Sequence, residues 1–406
     1  MSSSSNEGES LLTALVSGTT AAAFAATVTY PFDCIKTQEQ LNNKKLMAKY
    51  SIPGNYPGSL AQLFKGGSAL VLGSVLKNSA RLISYNWLTQ FMAIDTADGK
   101  RKTSAPRMVI ASIISGFLET LWIIPFENIK ITMVQNMTLN NELIRCEKEK
   151  IAYDITGSKL PHIHKPAIQY QYISPHAYWT SEILSQFTTG KVSKAPITKF
   201  LAHGQGSGAT PSGSHQVGSG HHYSGGHVHK MSKLDLLRIH YNKNPSLTFV
   251  GTINEMYKMK GVRAFTSGSI ITFVRQIGIS GIWLSTYNAT RQLIDPHSTN
   301  NNWFGHQHTV IQLFGLHLLS SVAVVAVTQP LDVIKTHMQL KNGKFFYKDS
   351  LKTALNLVVQ QGPVALFKGS LPRGFKIVIN GGLTAALYNY VERLVNVAGE
   401  QILFTD

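Results

Sequence analysis

Charge is scarce in this sequence: Asp, Glu, Lys and Arg make up 15% of its 406 residues, against about 25% in an ordinary globular domain. The shortage is sharpest for acids, 21 against 38 Lys and Arg, so the formal net charge is +17. No Asp, Glu, Lys or Arg falls in 10–32 or in 296–331, and uncharged stretches of that length are what a membrane-crossing helix needs. Cysteine is nearly absent. Cys34 and Cys146 cannot make a disulfide framework or a zinc-finger set. Disorder is excluded for most of the chain, because 43% of it is apolar and such a chain can bury a core. Residues 1–10 hold Glu7 and Glu9 but no Lys or Arg, so nothing there reads as a cleaved Arg-rich presequence. The apolar run from Leu11 to Phe32 is too long for a signal-peptide core and reads as a transmembrane helix. What remains is a basic, polytopic, all-α membrane protein.

One pattern is present three times: Pro31-Phe32-Asp33-Cys34-Ile35-Lys36, Pro125-Phe126-Glu127-Asn128-Ile129-Lys130 and Pro330-Leu331-Asp332-Val333-Ile334-Lys335. Pro31 to Pro125 is 94 residues and Pro125 to Pro330 is 205. A second marker, Tyr-Asn, recurs as Tyr85-Asn86, Tyr287-Asn288 and Tyr388-Asn389. Both fit three units of roughly 100 residues, the second enlarged by an insertion. Each unit holds two hydrophobic spans, which predicts six helices near 10–40, 70–94, 106–136, 268–294, 308–340 and 370–396. The expected organisation is an N-terminal tail (1–9), unit one (10–96), unit two (105–135 and 247–294) around an insertion (136–246), unit three (306–396) and a C-terminal tail (397–406).

In each motif acid and base stand three residues apart, on one helix face. Three such helices around a pseudo-threefold axis place each acid beside the next helix's base: Asp33 by Lys130, Glu127 by Lys335, Asp332 by Lys36. Ionisable groups at membrane depth are costly unless paired or facing water, so a ring of ion pairs is a sensible destination. Closed, it blocks a pore; open, it admits solute. The competing reading is a set of ion pairs that only fixes helix packing.

The three Pro-x-acid-x-x-Lys copies resemble the mitochondrial carrier family, over the whole chain apart from the insertion and the extreme termini. Members carry a Gln four residues after the motif's base; Gln40 and Gln339 match and Val134 does not. Members also carry an acid-Gly-x4-aromatic-base-Gly element, matched in part by Gln361-Gly362 with Phe367-Lys368-Gly369, by Phe64-Lys65-Gly66, and weakly by Thr266-Ser267-Gly268. The resemblance implies six transmembrane helices in three pseudo-threefold-related repeats, with short matrix-side surface helices, in the mitochondrial inner membrane. It implies a matrix gate of Asp33, Lys36, Gln40, Glu127, Lys130, Asp332, Lys335 and Gln339. It also implies a cytoplasmic gate of Tyr85, Asn86, Tyr287, Asn288, Arg291, Tyr388, Asn389 and Glu392. There the chain departs from the family, with Asn at each position where members carry an acid. Neutral hydrogen bonds are weaker than charge-assisted ones, so this gate should open more easily than the matrix gate.

Charges between the gates should face water and report on the solute. Lys77 and Arg81 in helix two, Arg275 beside Gln276 in helix four, and Arg373 and Lys376 in helix six face one acid, Glu119 in helix three. A positive cavity concentrates anions. Within the family the set resembles the tricarboxylate carriers, through Gly73-Ser74-x-x-Lys77-x-x-x-Arg81, Arg275-Gln276, Pro372-Arg373-x-x-Lys376 and Glu119. Trp283 stands where those carriers have a further Arg, and Ala25 where they have an acid. These departures open the site to a ligand smaller or less charged than citrate, beside citrate itself, and the aromatic at 283 suits stacking on a ring.

The transport fold does not need the insertion. Its first part, to about Pro161, mixes charges and reads as a continuation of helix three. Its last part, 202–230, is Gly/Ser/His-rich and reads as disordered. Imidazoles bind zinc, copper or nickel, so His221, His222, His227 and His229 are weak metal candidates, but the tract has no Cys or carboxylate. The leading function is therefore a solute carrier working by alternating access, not an enzyme, with no cofactor. Its expected partners are a small anionic substrate and the lipid bilayer, cardiolipin included, with no nucleic acid; three units around one pore imply a monomer. The other readings are a non-transporting scaffold that docks matrix partners through the insertion, and metal-linked transport through the His tract.

Overall fold

In the computed structural model, the described residues are 2–41, 59–95, 101–102, 105–156, 176–178, 232–294, 310–341 and 349–403. They are almost all helical. The long helices are α1 (Ser2–Leu41), α3 (Gly67–Phe91), α4 (Ala105–Thr156), α7 (Ser269–Ile294), α8 (Val310–Met338) and α10 (Ser370–Leu403). Shorter helices lie between them: α2 (Leu60–Leu63), α5 (Lys233–Lys243), α6 (Phe249–Lys260) and α9 (Ser350–Gln361). The β-structure among the described residues is a two-residue antiparallel ladder pairing β1 (Ile94–Asp95) with β2 (Arg101–Lys102).

Among the described residues the long helices pack in sequence order, α1 on α3, α3 on α4, α4 on α7, α7 on α8 and α8 on α10, and α10 returns to α1. The chain therefore closes a ring. Pro31, Pro125 and Pro330 lie inside α1, α4 and α8, and α1 also touches both α4 and α8 across the ring. Proline removes one i→i−4 hydrogen bond and crowds the preceding turn, which favours a bend that brings these helices together.

The long helices follow the expected spans with three extensions: α1 begins at Ser2 and not near 10, α10 ends at Leu403 and not near 396, and α4 continues into the insertion, as its mixed charges suggest. α4 does not stop near 136 but runs on to Thr156. Residues 137–156 contain neither Pro nor Gly, so nothing in them terminates a helix; Gly157 follows directly. The insertion thus begins inside a continuous helix. From Asn128 to Leu139 every residue of α4 is buried, as befits a helix enclosed on all sides. One side is packed by Tyr30, Cys34 and Leu70, with Leu247 alongside. Another is packed by Ala69, Met256 and Ala264, with Phe249, Ile253 and Phe265.

Polarity is distributed inside out. Asp33, Glu119, Asp332, Lys335 and Arg373 are buried, whereas Phe24, Trp87, Trp122, Ile277, Val322 and Phe375, one from each long helix, are exposed. Large apolar side chains exposed on every long helix suit a face made for lipid or for another protein. By length and apolarity, Leu12–Leu41 and Leu318–Met338 qualify as membrane spans among the described residues.

Close approach is built into the second, fourth and sixth long helices, α3, α7 and α10, the even helices of the three units. Gly66, Gly268 and Gly369 precede α3, α7 and α10 with φ of 89°, 73° and 74°, a conformation that favours glycine. A Cβ on Gly369 would lie 3.0 Å from the Lys36 carbonyl oxygen, and one on Gly66 would lie 2.6 Å from the Tyr30 hydroxyl. Each even helix is thereby seated against a Pro-containing one.

Candidate functional site

The three motif carboxylates meet the bases expected of them. Asp33 Oδ2 is 3.1 Å from Lys130 Nζ, Asp332 Oδ2 is 2.6 Å from Lys36 Nζ, and Glu127 pairs with Lys335. These pairs join α1 to α4, α8 to α1 and α4 to α8, so together they close the centre of the ring. Gln40 braces one of them, its Nε2 donating 2.9 Å to Asp332 Oδ2, while Thr336 Oγ1 donates 2.8 Å to Gln40 Oε1. Gln339 does not act in the same way. Its Nε2 donates to the Ser267 carbonyl at 3.3 Å, because the left-handed Gly268 backbone passes against its side chain.

Bases of the even helices reach the same acids. Lys376 Nζ lies 2.7 Å from Asp33 Oδ2. Arg275 lies between two acids, Nη2 3.7 Å from Glu127 and Nη1 3.6 Å from Asp332. Spacing alone places Lys376 and Arg275 in the cavity; the folded chain turns both onto the motif carboxylates, where burial makes an extra positive charge stabilising. Arg373 donates to Gln329 Oε1 at 3.0 Å and to Thr328 Oγ1 at 2.6 Å, directly before Pro330. Lys77 Nζ is 3.0 Å and Arg81 Nε 3.7 Å from the buried Glu119 carboxylate, so that acid collects both bases of α3. Gln276 is half-buried beside Arg275.

At the other end of the ring Tyr85, Asn86, Tyr388 and Glu392 are all half-buried. Thr89 Oγ1 donates back to the Tyr85 and Asn86 carbonyls, a bond within its own helix. The side chains of Trp283, Tyr287, Asn288, Arg291 and Asn389 lie outside the described residues, as do His221, His222, His227 and His229 and most of the insertion. Among the described residues no group of three or more His, Cys, Asp or Glu is arranged to hold a metal ion.

Motif reasoning misses a second set of side chains, which ties the start of each even helix to a Pro-containing one. Tyr30, just before Pro31, donates its hydroxyl to the Lys65 carbonyl. Gln329, just before Pro330, donates 2.6 Å to the Lys368 carbonyl. In the middle unit Ile124 occupies that position and cannot donate; Asn128, one turn later, donates 2.8 Å to the Phe265 carbonyl and 3.2 Å to that of Ser267. A polar donor at the residue before Pro in two of three copies was the available signal.

The profile described as mitochondrial carrier protein matches residues 7–95 and 306–398. An uncharacterized mitochondrial carrier of Saccharomyces cerevisiae is 26% identical, over 96% of this chain and 97% of its own length. Mitochondrial citrate transporter A of Aspergillus niger is 22% identical, over 93% and 90%. A mitochondrial glycine transporter of Xenopus laevis is 32% identical over a shorter stretch, 34% of this chain and 43% of its own.

Proposed function

We propose that the chain, on its profile match over 7–95 and 306–398 and on its relatives, is a transporter of the mitochondrial carrier family and not an enzyme, and that it carries a small anionic metabolite, a di- or tricarboxylate, across the mitochondrial inner membrane by alternating access. The observation that carries this reading is the double occupancy of the motif acids. Asp33 holds Lys130 and Lys376, and Arg275 is shared between Glu127 and Asp332. Two of the cavity bases, Arg275 and Lys376, are thus neutralised by the gate itself. An incoming polyanion competes with those carboxylates for Arg275 and Lys376, and for Arg373 on its neutral partners. Each base it takes leaves a gate acid with fewer partners, so binding solute and loosening the ring become one event. A ligand shifts a conformational equilibrium only by its differential affinity for the two states, and this competition supplies the difference.

The inside-out polarity supports a multi-pass chain with six spans in three repeats, the exposed Phe, Trp, Ile and Val facing lipid, cardiolipin included, around one monomeric pore. The ring of Asp33, Lys36, Gln40, Glu127, Lys130, Asp332 and Lys335 is the matrix gate, and Lys77, Arg81 and Glu119 lie on the solute path above it. The citrate transporter of Aspergillus niger supports a carboxylate, while the Xenopus glycine transporter makes a zwitterion the necessary control.

Thermal unfolding of the purified chain tests the substrate class, because a ligand that binds only the folded state raises the midpoint by mass action. Citrate, malate or oxoglutarate should raise it in wild type and not in Arg275→Ala, with phosphate and glycine inert. Stabilisation by glycine alone would replace the anion with a zwitterion. A folded chain that responds to no metabolite would favour a scaffold role for the insertion.

A further inference from the structure

One buried cluster lies beyond the ion-pair ring and has no part in the solute path. Glu255 on α6 and Lys341, just past the end of α8, form an ion pair whose side chains are 0% and 1% exposed. Glu255 Oε2 also accepts from Asn136 Nδ2 of α4 at 2.9 Å and from the Ser246 amide at 3.2 Å. The Lys341 amide donates 2.9 Å to Gln135 Oε1 of α4, and Lys260 Nζ donates 3.3 Å to the Leu340 carbonyl. Helices α4, α6 and α8 therefore meet at one point, five residues past Lys130 and six past Lys335.

The cover over this point comes from the insertion. His176, Ala177 and Tyr178 are buried. The Tyr178 ring lies with its centroid 4.7 Å from Lys341 Nζ, a cation–π geometry that strengthens when water is excluded. Asn242 of α5 clamps the Tyr178 main chain from both sides, accepting from its amide at 2.6 Å and donating to its carbonyl at 2.8 Å. Gln135 Nε2 donates 3.3 Å to the His176 carbonyl, and the His176 ring faces Glu142 of α4 at 3.9 Å. Tyr178 further packs on Tyr241 and Met259.

A charge pair this deeply buried is strongly destabilising once one partner is withdrawn. Parting the ends of α4 and α8, as any opening of the ring at the Glu127–Lys335 edge requires, would break the Lys341–Gln135 bond, pull Lys341 from Glu255 and strip Tyr178 from the ammonium. We propose that the segment His176–Tyr178 is a latch, which holds the α4–α8 edge closed and makes the insertion a brake on opening at the Pro-motif side. Its role as a brake rests on the alternating-access reading; the latch itself does not.

Hydrogen exchange on the purified full-length chain tests it. Tyr178→Ala and Asn242→Ala should speed amide exchange in 249–260 and 332–341 by about fivefold or more while 67–91 keeps its wild-type rate, since local opening is read segment by segment. Tyr178→Phe, which keeps the ring over Lys341, should stay near wild type. Unchanged rates in 249–260 and 332–341, or equal acceleration in every helix including 67–91, would overturn the latch. Amide exchange needs no solute, so a missing latch and a chain that transports nothing give different results.

Discussion

On the proposed anion-carrier reading, Arg275 and Glu119 act in opposite senses on the same ligand. Arg275 is a base that an anion must recruit, held 3.6–3.7 Å from two carboxylates. Glu119 is an acid that competes with the anion for Lys77 and Arg81. Glu119→Gln should therefore lower the half-saturation concentration for the transported anion, whereas Arg275→Ala raises it or abolishes transport. The Lys77 and Arg81 side chains are 36% and 64% exposed, so screening keeps the gain to about 1 kcal/mol, roughly fivefold. Initial rates against concentration decide the sign. His176 gives a pH prediction. Its burial, with the positive Lys341 beside it, pushes its pKa down to about 4. The unfolded chain takes up this proton near pH ~6.5 and the folded one does not, so stability is full above that value and falls as pH drops toward about 4. The upper bound on that loss is ~3 kcal/mol. Unfolding midpoints between pH 7.5 and 4.5 should fall less steeply in His176→Asn than in wild type.

Contacts between helices were legible where the sequence repeats itself and not elsewhere. The pairs Asp33–Lys130, Glu127–Lys335 and Asp332–Lys36 follow from a three-residue spacing and a threefold arrangement, and the structure forms them. The tie from Asn128 to the start of α7 was not legible, because it replaces the residue before Pro with one a turn later. That α4 runs on into the insertion was legible in the mixed charges before Pro161, but repeat periodicity says nothing about where that helix ends, at Thr156. The meeting of residues 178, 255 and 341 has no spacing signature at all, since three distant segments make it. Packing of α3 on α4 depends on Gly73, where a Cβ would sit 2.8 Å from Phe126 Cβ. Gly73→Val should cost ~1–3 kcal/mol by overpacking and lower the unfolding midpoint. Gly116→Ala, with nothing within 4 Å of the added carbon, should leave it unchanged or raise it slightly through helix propensity.

At the scale of the whole molecule, charge scarcity, outward apolar side chains and a polar interior are what the proposed function requires of a ring that meets lipid on its outside and water within. The motif acids meet at the centre of the ring, each neutralised by more than one base, and the net positive charge that remains is what the proposed polyanion would need. The most direct measurement is uptake of labelled citrate, malate and oxoglutarate into proteoliposomes preloaded with the unlabelled compound, for wild type and Arg275→Ala. The account predicts saturable exchange of at least one carboxylate by wild type and its loss in Arg275→Ala. Folded, reconstituted wild-type protein that exchanges none of them, or an Arg275→Ala variant that exchanges at the wild-type rate, would contradict it.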